Sequence, residues 1–287
     1  MNRRRLLAGL FVLPAVLLAA LPAAAQDKPK KAARILFVTQ SAGFRHGAVN
    51  RKGKPLAAAE EAMTKLAASS GLFRVDCTQD CKKDFTKKNL QNYDIVMFYT
   101  TGKLPIKKED LDYFFNDWLK QKGHGFIGTH SAADTFKNYK PYYEMIGGTF
   151  AGHPWGSGSS VTITVHDTNH PVSKPWGKEF EIKDEIYKFR NWVPEKVHVL
   201  MSLNMAKTSK KAPYHVPIAW VKEYGDGKVL HMSLGHREDV WTNPKYMQSL
   251  LGGVKWILGH EKGDAKPNPE VSAAQEKKAK ADTAAGK

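Results

Sequence analysis

Apolar positions along the chain fall into two patterns. In the first half, short strand-like segments at residues 34–39, 73–77, 94–100 and 125–129, the first a continuous apolar run, alternate with longer segments of helical period. The continuous run at 34–39 is typical of a central parallel strand, and the other three predict further strands. Between them, residues 54–70 are alanine-rich and amphipathic, and residues 107–122 place Leu111, Phe114, Phe115, Trp118 and Leu119 at helical spacing. Strands separated by helices predict a parallel sheet covered on both sides.

The second half changes period. Residues 161–165, 179–189, 197–203, 218–224 and 228–234 favour strands, and Gly225-Asp226-Gly227 is a hairpin turn between the last two. A final helix over 244–258 offers Met247, Leu250, Leu251, Val254, Trp256 and Ile257 to a sheet. The expected fold is therefore α/β: a doubly wound, mostly parallel sheet of flavodoxin-like type with an antiparallel extension, in one domain over residues 34–260. No internal repeat is visible.

The ends of the chain read differently. Arg3, Arg4 and Arg5 precede an apolar run over 6–21 that Pro14 interrupts, and Ala23-Ala24-Ala25 follows as a small-residue cleavage pattern. Residues 1–25 thus predict a signal peptide cleaved near Ala25, with no retained transmembrane anchor. The mature protein is expected in the periplasm or secreted. The basic start also resembles a twin-arginine signal. Residues 26–33 read as a polar linker and 261–287 as a disordered Ala/Lys-rich tail.

Net charge is +16, of which the three leader arginines, with no acid beside them, account for all but +13. Such a balance raises the question of nucleic acid. The lysines are nevertheless scattered in pairs without a nucleic-acid motif, so a solvated basic surface is expected and no specific nucleic-acid partner. In an oxidising compartment Cys77 and Cys81 can form a local disulfide, a metal pair being the rival reading.

Ligands of an open α/β sheet bind outside the carboxyl ends of the parallel strands. The segments to inspect are Gln40 to His46, Thr100 to Gly102, His130 to Asp134 and Gly235 to Trp241, and histidine occurs in three of the four. Gly128-Thr129-His130-Ser131 has the form of a strand-to-helix turn that exposes a reactive group. Ser131 is either a nucleophile or a cap for the following helix. His153-Pro154-Trp155 sits among Gly152, Gly156 and Gly158, and Trp155 suits stacking on a sugar or packing as an anchor. Along 184–187, strand alternation puts Glu185 and Tyr187 on one face and Asp184 on the other.

The ordered motifs S-A-G-F-R-H, G-F-I-G-T-H-S-A-A-D-T-F, G-G-T-F-A-G-H-P-W, D-E-I-Y and L-G-H-R-E-D-V-W-T-N-P resemble the trehalose-utilisation (ThuA-like) family over residues 34–260. The resemblance implies a fold similar to class I glutamine amidotransferases and a link to trehalose and related sugar metabolism. Where that pattern has G-x-C, this chain has Gly128-Thr129-His130, and His236-Arg237-Glu238 fits its H-x-E. A cysteine thioester route for glutamine is therefore excluded.

These readings converge on an exported enzyme of carbohydrate metabolism, acting on a trehalose-like or oxidised sugar by hydrolytic, eliminative or isomerising chemistry. The catalytic candidates are His130, Asp134, Glu185, His236 and Glu238. Phe44, Arg45, His46, Ser131, His153, Trp155, Tyr187, Arg237 and Trp241 are assigned to substrate binding. His46, His130, His153 and His236, with Glu185, can instead hold a divalent metal such as zinc. Without one, His130 or His236 serves as base and Glu185 or Asp134 as acid. His124, His166, His170, His198, His215, His231 and His260 are read as core or surface groups. The alternatives are a non-catalytic sugar-binding protein and a scaffold docked by its basic tails on anionic polymer. A homo-oligomer is compatible with all of them.

Overall fold

The four strand-like segments of the first half become neighbouring parallel strands. The computed structural model describes residues 32–210 and 212–285. Its strands are β1 (Ala33–Val38), β2 (Phe73–Thr78), β3 (Ile95–Phe98), β4 (Gly125–Thr129), β5 (Thr149–Phe150), β6 (Ser160–Val165), β7 (Glu179–Lys183), β8 (Phe189–Arg190), β9 (His198–Leu203), β10 (Pro217–Tyr224) and β11 (Gly227–Met232). Nine form one sheet in the order β2-β1-β3-β4-β11-β10-β9-β6-β7, while β5 and β8 pair separately. The first five run parallel, and each of the remaining four runs antiparallel to its neighbour.

The helices are α1 (Ala58–Ser70), α2 (Cys81–Asp84), α3 (Lys87–Leu90), α4 (Lys108–Tyr113), α5 (Lys140–Ile146), α6 (Pro244–Ile257) and α7 (Pro269–Ala284). Alternation along the strands sends Ile35, Phe37, Ile95, Met97, Ile127, Leu230 and Met232 to one face, under Met63 of α1 and Leu250 and Val254 of α6. Leu36, Val38, Val96, Phe98, Phe126 and Val229 face the other side, under Leu111 of α4 and Tyr142 and Ile146 of α5. The expected α/β architecture and antiparallel extension are present. Packing of α6 is close enough that a Cβ added at Gly252 would lie 2.1 Å from the Pro171 carbonyl oxygen. Alanine there gains about 1 kcal/mol of helix propensity, but a backbone carbonyl must shift. Gly252→Ala is therefore expected to lower stability by about 2 kcal/mol, read as a drop in urea midpoint; an unchanged midpoint contradicts the contact.

Four expectations need correction. The helix expected over 107–122 is α4 followed by a π-helical turn, Phe114–Trp118. The wider turn accompanies the burial of Phe114, Phe115, Trp118 and Leu119 together. The strand expected over 179–189 ends at Lys183. Beyond it the chain stays extended, clasped by the 151–156 loop through Ile186 N to Trp155 O, Lys188 N to Gly152 O and Ala151 N to Lys188 O.

The tail expected to be disordered contains α7, which buries Ser272 and Ala279. Just before it, the Asn268 side chain pairs with both backbone groups of Val199 in β9, at 2.7 and 3.1 Å. Composition missed this because the buried side is made of small residues. Cys77 and Cys81 are free thiols. Cys77 packs toward one face of the sheet and Cys81 toward the other, and burial pushes both thiols up to about 12. The leader expected over 1–25 lies outside the described residues, as does the linker except for Ala32 and Ala33. Among the described residues no helix is long and apolar enough to cross a membrane.

Candidate functional site

Four segments meet at the carboxyl edge of the parallel strands. His46 comes from the loop after β1, His130 from the turn after β4, Glu185 from the extended run after β7, and His236 from the loop after β11. One ligand atom from each lies within 4.8 Å of the others.

Local structure explains how each is held. His130 ends β4 with φ +41° and opens a 3-10 turn, His130–Asp134. A left-handed backbone at a bulky residue costs on the order of 1–2 kcal/mol, and surrounding structure must impose it. Its Nδ1–H donates to the Ser233 carbonyl at 2.9 Å. The His46 loop is anchored by buried Glu60, which accepts from Arg51 Nε and Nη2 at 2.8 Å each, from Thr39 Oγ1 at 2.5 Å and from Ala57 N at 2.7 Å. The His236 loop hangs on fully buried Asp184, whose two carboxylate oxygens accept from Gly235 N at 2.7 Å and Arg237 N at 3.2 Å. Tyr99 Oη and Trp241 Nε1 both donate to the Gly235 carbonyl, at 2.8 and 3.0 Å. Gly235 has φ +118°, and a Cβ there would meet Tyr246 Oη at 2.7 Å, so the turn requires glycine.

Inside the cluster, His236 Nδ1 lies 3.0 Å from Glu185 Oε2 and 3.2 Å from His130 Nε2, while His130 Nε2 is 3.5 Å from the same carboxylate oxygen. The other Glu185 oxygen lies 3.4 Å from His153 Nδ1, whose side chain is 54% exposed. Tyr187 Oη reaches His46 Nε2 at 3.5 Å, and its ring packs 4.4 Å from that of His130. Because a carbonyl only accepts, Ser233 fixes the His130 proton on Nδ1 and leaves the Nε2 lone pair facing the cluster.

Burial pushes the Glu185 carboxyl up, but its hydrogen bonds with His130 and His236 outweigh this and hold it well below the usual carboxylate range. Burial, reinforced by the neighbouring His130 and His236, lowers His46 to about 2, so this imidazole is neutral at any working pH. Its Nδ1 is buried without a hydrogen-bond partner. Burial, with Glu185 adding to it, pushes the Tyr187 phenol far up, so it keeps its proton. Burial also raises Asp184, against His130 and the three amides that favour its anion.

Of the sequence candidates, His46, His130, Glu185 and His236 form the centre, with Tyr187 and His153 against it. Glu238 does not join: its side chain is 52% exposed and pairs with Lys52, and Glu185 takes the place beside His236. Asp134 binds Lys137 at 2.6 Å. Trp155 is buried and donates to Thr208 Oγ1, which makes it a packing anchor. Trp241 is buried on Tyr99, 5.7 Å away and stacked. Arg237 is engaged with Asp239. Ser131 is buried inside the 3-10 turn, its Oγ without a partner, and caps no helix. Arg45 is exposed. Phe44 is 67% exposed, edge-on to His46 at 4.9 Å. Sequence reasoning missed the supporting role of Asp184, Tyr99 and Ser233; the acidic pair at 184–185 was the available signal.

The ThuA family model, described as trehalose utilisation, matches residues 34–257. A protein described as ThuA-like from Bacteroides uniformis ATCC 8492 superposes with a TM-score of 0.61 at 21% identity, covering 87% of this chain and 99% of its own. Another, from Parabacteroides merdae ATCC 43184, gives 0.61 at 16% identity, covering 83% and 98%. A cytoplasmic protein of Salmonella typhimurium LT2 gives 0.53 at 14% identity, covering 78% and 99%. At these identities the structures share the fold. Among curated proteins, none matches significantly. The family match spans most of the chain and all four residues of the cluster, and the chain belongs to the ThuA, or trehalose-utilisation, family.

Proposed function

We propose that the protein is an exported enzyme acting on a carbohydrate, trehalose-like or an oxidised sugar, and that His46, His130, Glu185 and His236 hold a divalent metal of the zinc class. The observation that carries this reading is the pair formed by His130 Nε2 and Glu185 Oε2. They are 3.5 Å apart, buried, and both acceptors when Nδ1 of His130 carries its proton. Two facing acceptors repel unless something positive lies between them. A proton on His236 Nδ1, which lies 3.0 and 3.2 Å from the two atoms, would serve, and so would a metal, for which three imidazoles with one carboxylate are a donor set that zinc takes. The carbonyl behind His130 and the unpartnered nitrogen of neutral His46 agree with ligand roles.

When bound, the metal would supply Lewis-acid polarisation of a sugar oxygen. The protein's own groups do the remainder. Half-exposed His153, on the outer oxygen of Glu185, is placed to take or give a proton at the mouth. Exposed Phe44 offers a ring face to the apolar side of a sugar. Tyr187, kept protonated, can donate a hydrogen bond.

Elemental analysis of the protein, purified without chelators, tests the centre. About one equivalent of metal is expected in wild type, and much less in His130→Ala and in His236→Ala. Metal-free wild type after reconstitution would overturn the metal reading and leave the same residues as acid–base or sugar-binding groups.

A further inference from the structure

Asp134, a catalytic candidate on sequence grounds, belongs to a different opening from the histidine cluster. It lines a cavity of about 660 Å³ whose walls are Leu104, Ile106, Leu111, Phe136 and Tyr139. None of the four cluster residues takes part in that lining. The volume falls in the range of small-ligand sites.

The walls come from the loop after β3, the turn after β4, and α4. Backbone bonds from Gly102 N to Asp134 O and from Phe136 N to Gly102 O, at 3.1 Å each, stitch the two connections together. Ala42 N donates to the Thr101 carbonyl at 2.9 Å, which ties the loop after β3 to the loop after β1. Phe136 is held at φ +46°, a conformation that a bulky residue keeps only where its surroundings impose it. The cavity is thus built into the strand-end loops and needs little reorganisation to receive a ligand.

The chemistry of the lining limits what it can take. Its walls are hydrocarbon and aromatic, and a sugar placed against them would leave most of its hydroxyls without partners. An apolar body loses nothing there. The charged lining residues, however, are three lysines, Lys103, Lys108 and Lys137, against the single carboxylate of Asp134. Lys137 is committed to Asp134 and Lys108 to Asp112. Lys103 is exposed and makes no ion pair among the described residues, so the rim keeps a cation for a ligand of opposite charge.

We infer that this cavity is a second ligand site, for a small amphipathic anion: an alkyl or aryl acid whose apolar body fills the walls and whose anionic head meets Lys103. It stands apart from the chemistry proposed for the histidine cluster and does not rest on it.

The full chain is titrated with 8-anilinonaphthalene-1-sulfonate, itself an aryl anion, and followed by fluorescence. A chelator is present throughout, so that no metal at the cluster can hold the probe. Saturable binding is expected, displaced by octanoate at roughly tenfold lower concentration than by 1-octanol, and not by glucose. In Lys103→Gln, an exposed position that the fold does not need, most of the advantage of octanoate over 1-octanol should vanish. Tyr139→Ser removes an aromatic wall without adding charge and should weaken probe binding roughly tenfold while still melting cooperatively. The inference is overturned by any of four results: no saturable binding, 1-octanol competing as well as octanoate, Lys103→Gln keeping the wild-type preference, or folded Tyr139→Ser binding the probe like wild type. Neither metal nor turnover enters these readouts, so they stand or fall separately from the elemental analysis.

Discussion

Between about pH 7 and pH 5 the fold is expected to lose roughly 4 kcal/mol of stability through two buried histidines. Burial lowers His231 to about 3, with His130 adding to the effect, and lowers His170 to about 4, against an ordinary value of 6.5. Both side chains are at most 1% exposed. Neither ring of this pair gains a proton in the folded chain until the pH nears those depressed values, whereas the unfolded chain binds protons below 6.5. Stability is therefore fully present above 6.5 and falls as the pH drops through the window below it. Each imidazole contributes about 2 kcal/mol over this range. Carboxylates titrate mainly lower, so the window belongs to histidine. His166 and His215, both lowered by burial to about 4, and His46, lowered to about 2, act in the same direction over the same window and add to this loss. His231 is the diagnostic residue: both ring nitrogens lack partners, and its ring packs 4.4 Å from Trp220. In His231→Leu, about half of the two-histidine loss should disappear, measured as unfolding free energy from urea titrations along the pH series. A wild-type profile flat from pH 7 to 5, or a variant with the same slope, would falsify the assignment.

Glu185→Gln is expected to remain folded and to lose about 10³-fold in turnover of a confirmed sugar substrate. The amide keeps the shape of the side chain. It removes the one negative charge that faces His130, His153 and His236 together. Whether this carboxylate binds a metal or takes a proton, the neutral amide does neither. Glu238→Gln supplies the contrast: its partner is exposed Lys52, so turnover should stay within about twofold, as for a surface pair of small energetic weight. Equal losses in the two variants would restore the H-x-E spacing as the functional pair and remove Glu185 from the centre.

That contrast shows what spacing alone conveys. The central strands were legible because β1, β3 and β4 are buried on both faces and so consist of continuous apolar residues. The loops that follow them were legible for the same reason, since strand ends fix where a site must lie. His46, His130 and His236 could be named that way. Glu238 was misplaced because two-residue spacing does not say whether a side chain turns inward; the 3-10 turn Glu238–Thr242 begins at this residue and leaves it in solvent. Asp184 was assigned to the opposite face from Glu185, but its role depends on the Gly235 and Arg237 amides, about 50 residues further on, and pairing over that distance has no local signature. The helix α7 was hidden by alanine and lysine, which are good helix formers yet also the commonest residues of disordered tails.

The four cluster residues span 190 positions, and three of them follow strands of the parallel set, β1, β4 and β11, while Glu185 follows β7 in the antiparallel extension. No local segment can assemble such a centre, so its formation coincides with closure of the longest loops in the chain, where entropy delays contact most. Anything that binds all four residues therefore has affinity for the native state alone. By mass action it stabilises the whole fold and not one loop: occupancy at a hundred times the dissociation constant is worth about 2.7 kcal/mol. A shift in melting temperature on adding an ion or a sugar would thus serve as a screen for what this protein binds, before any reaction is known.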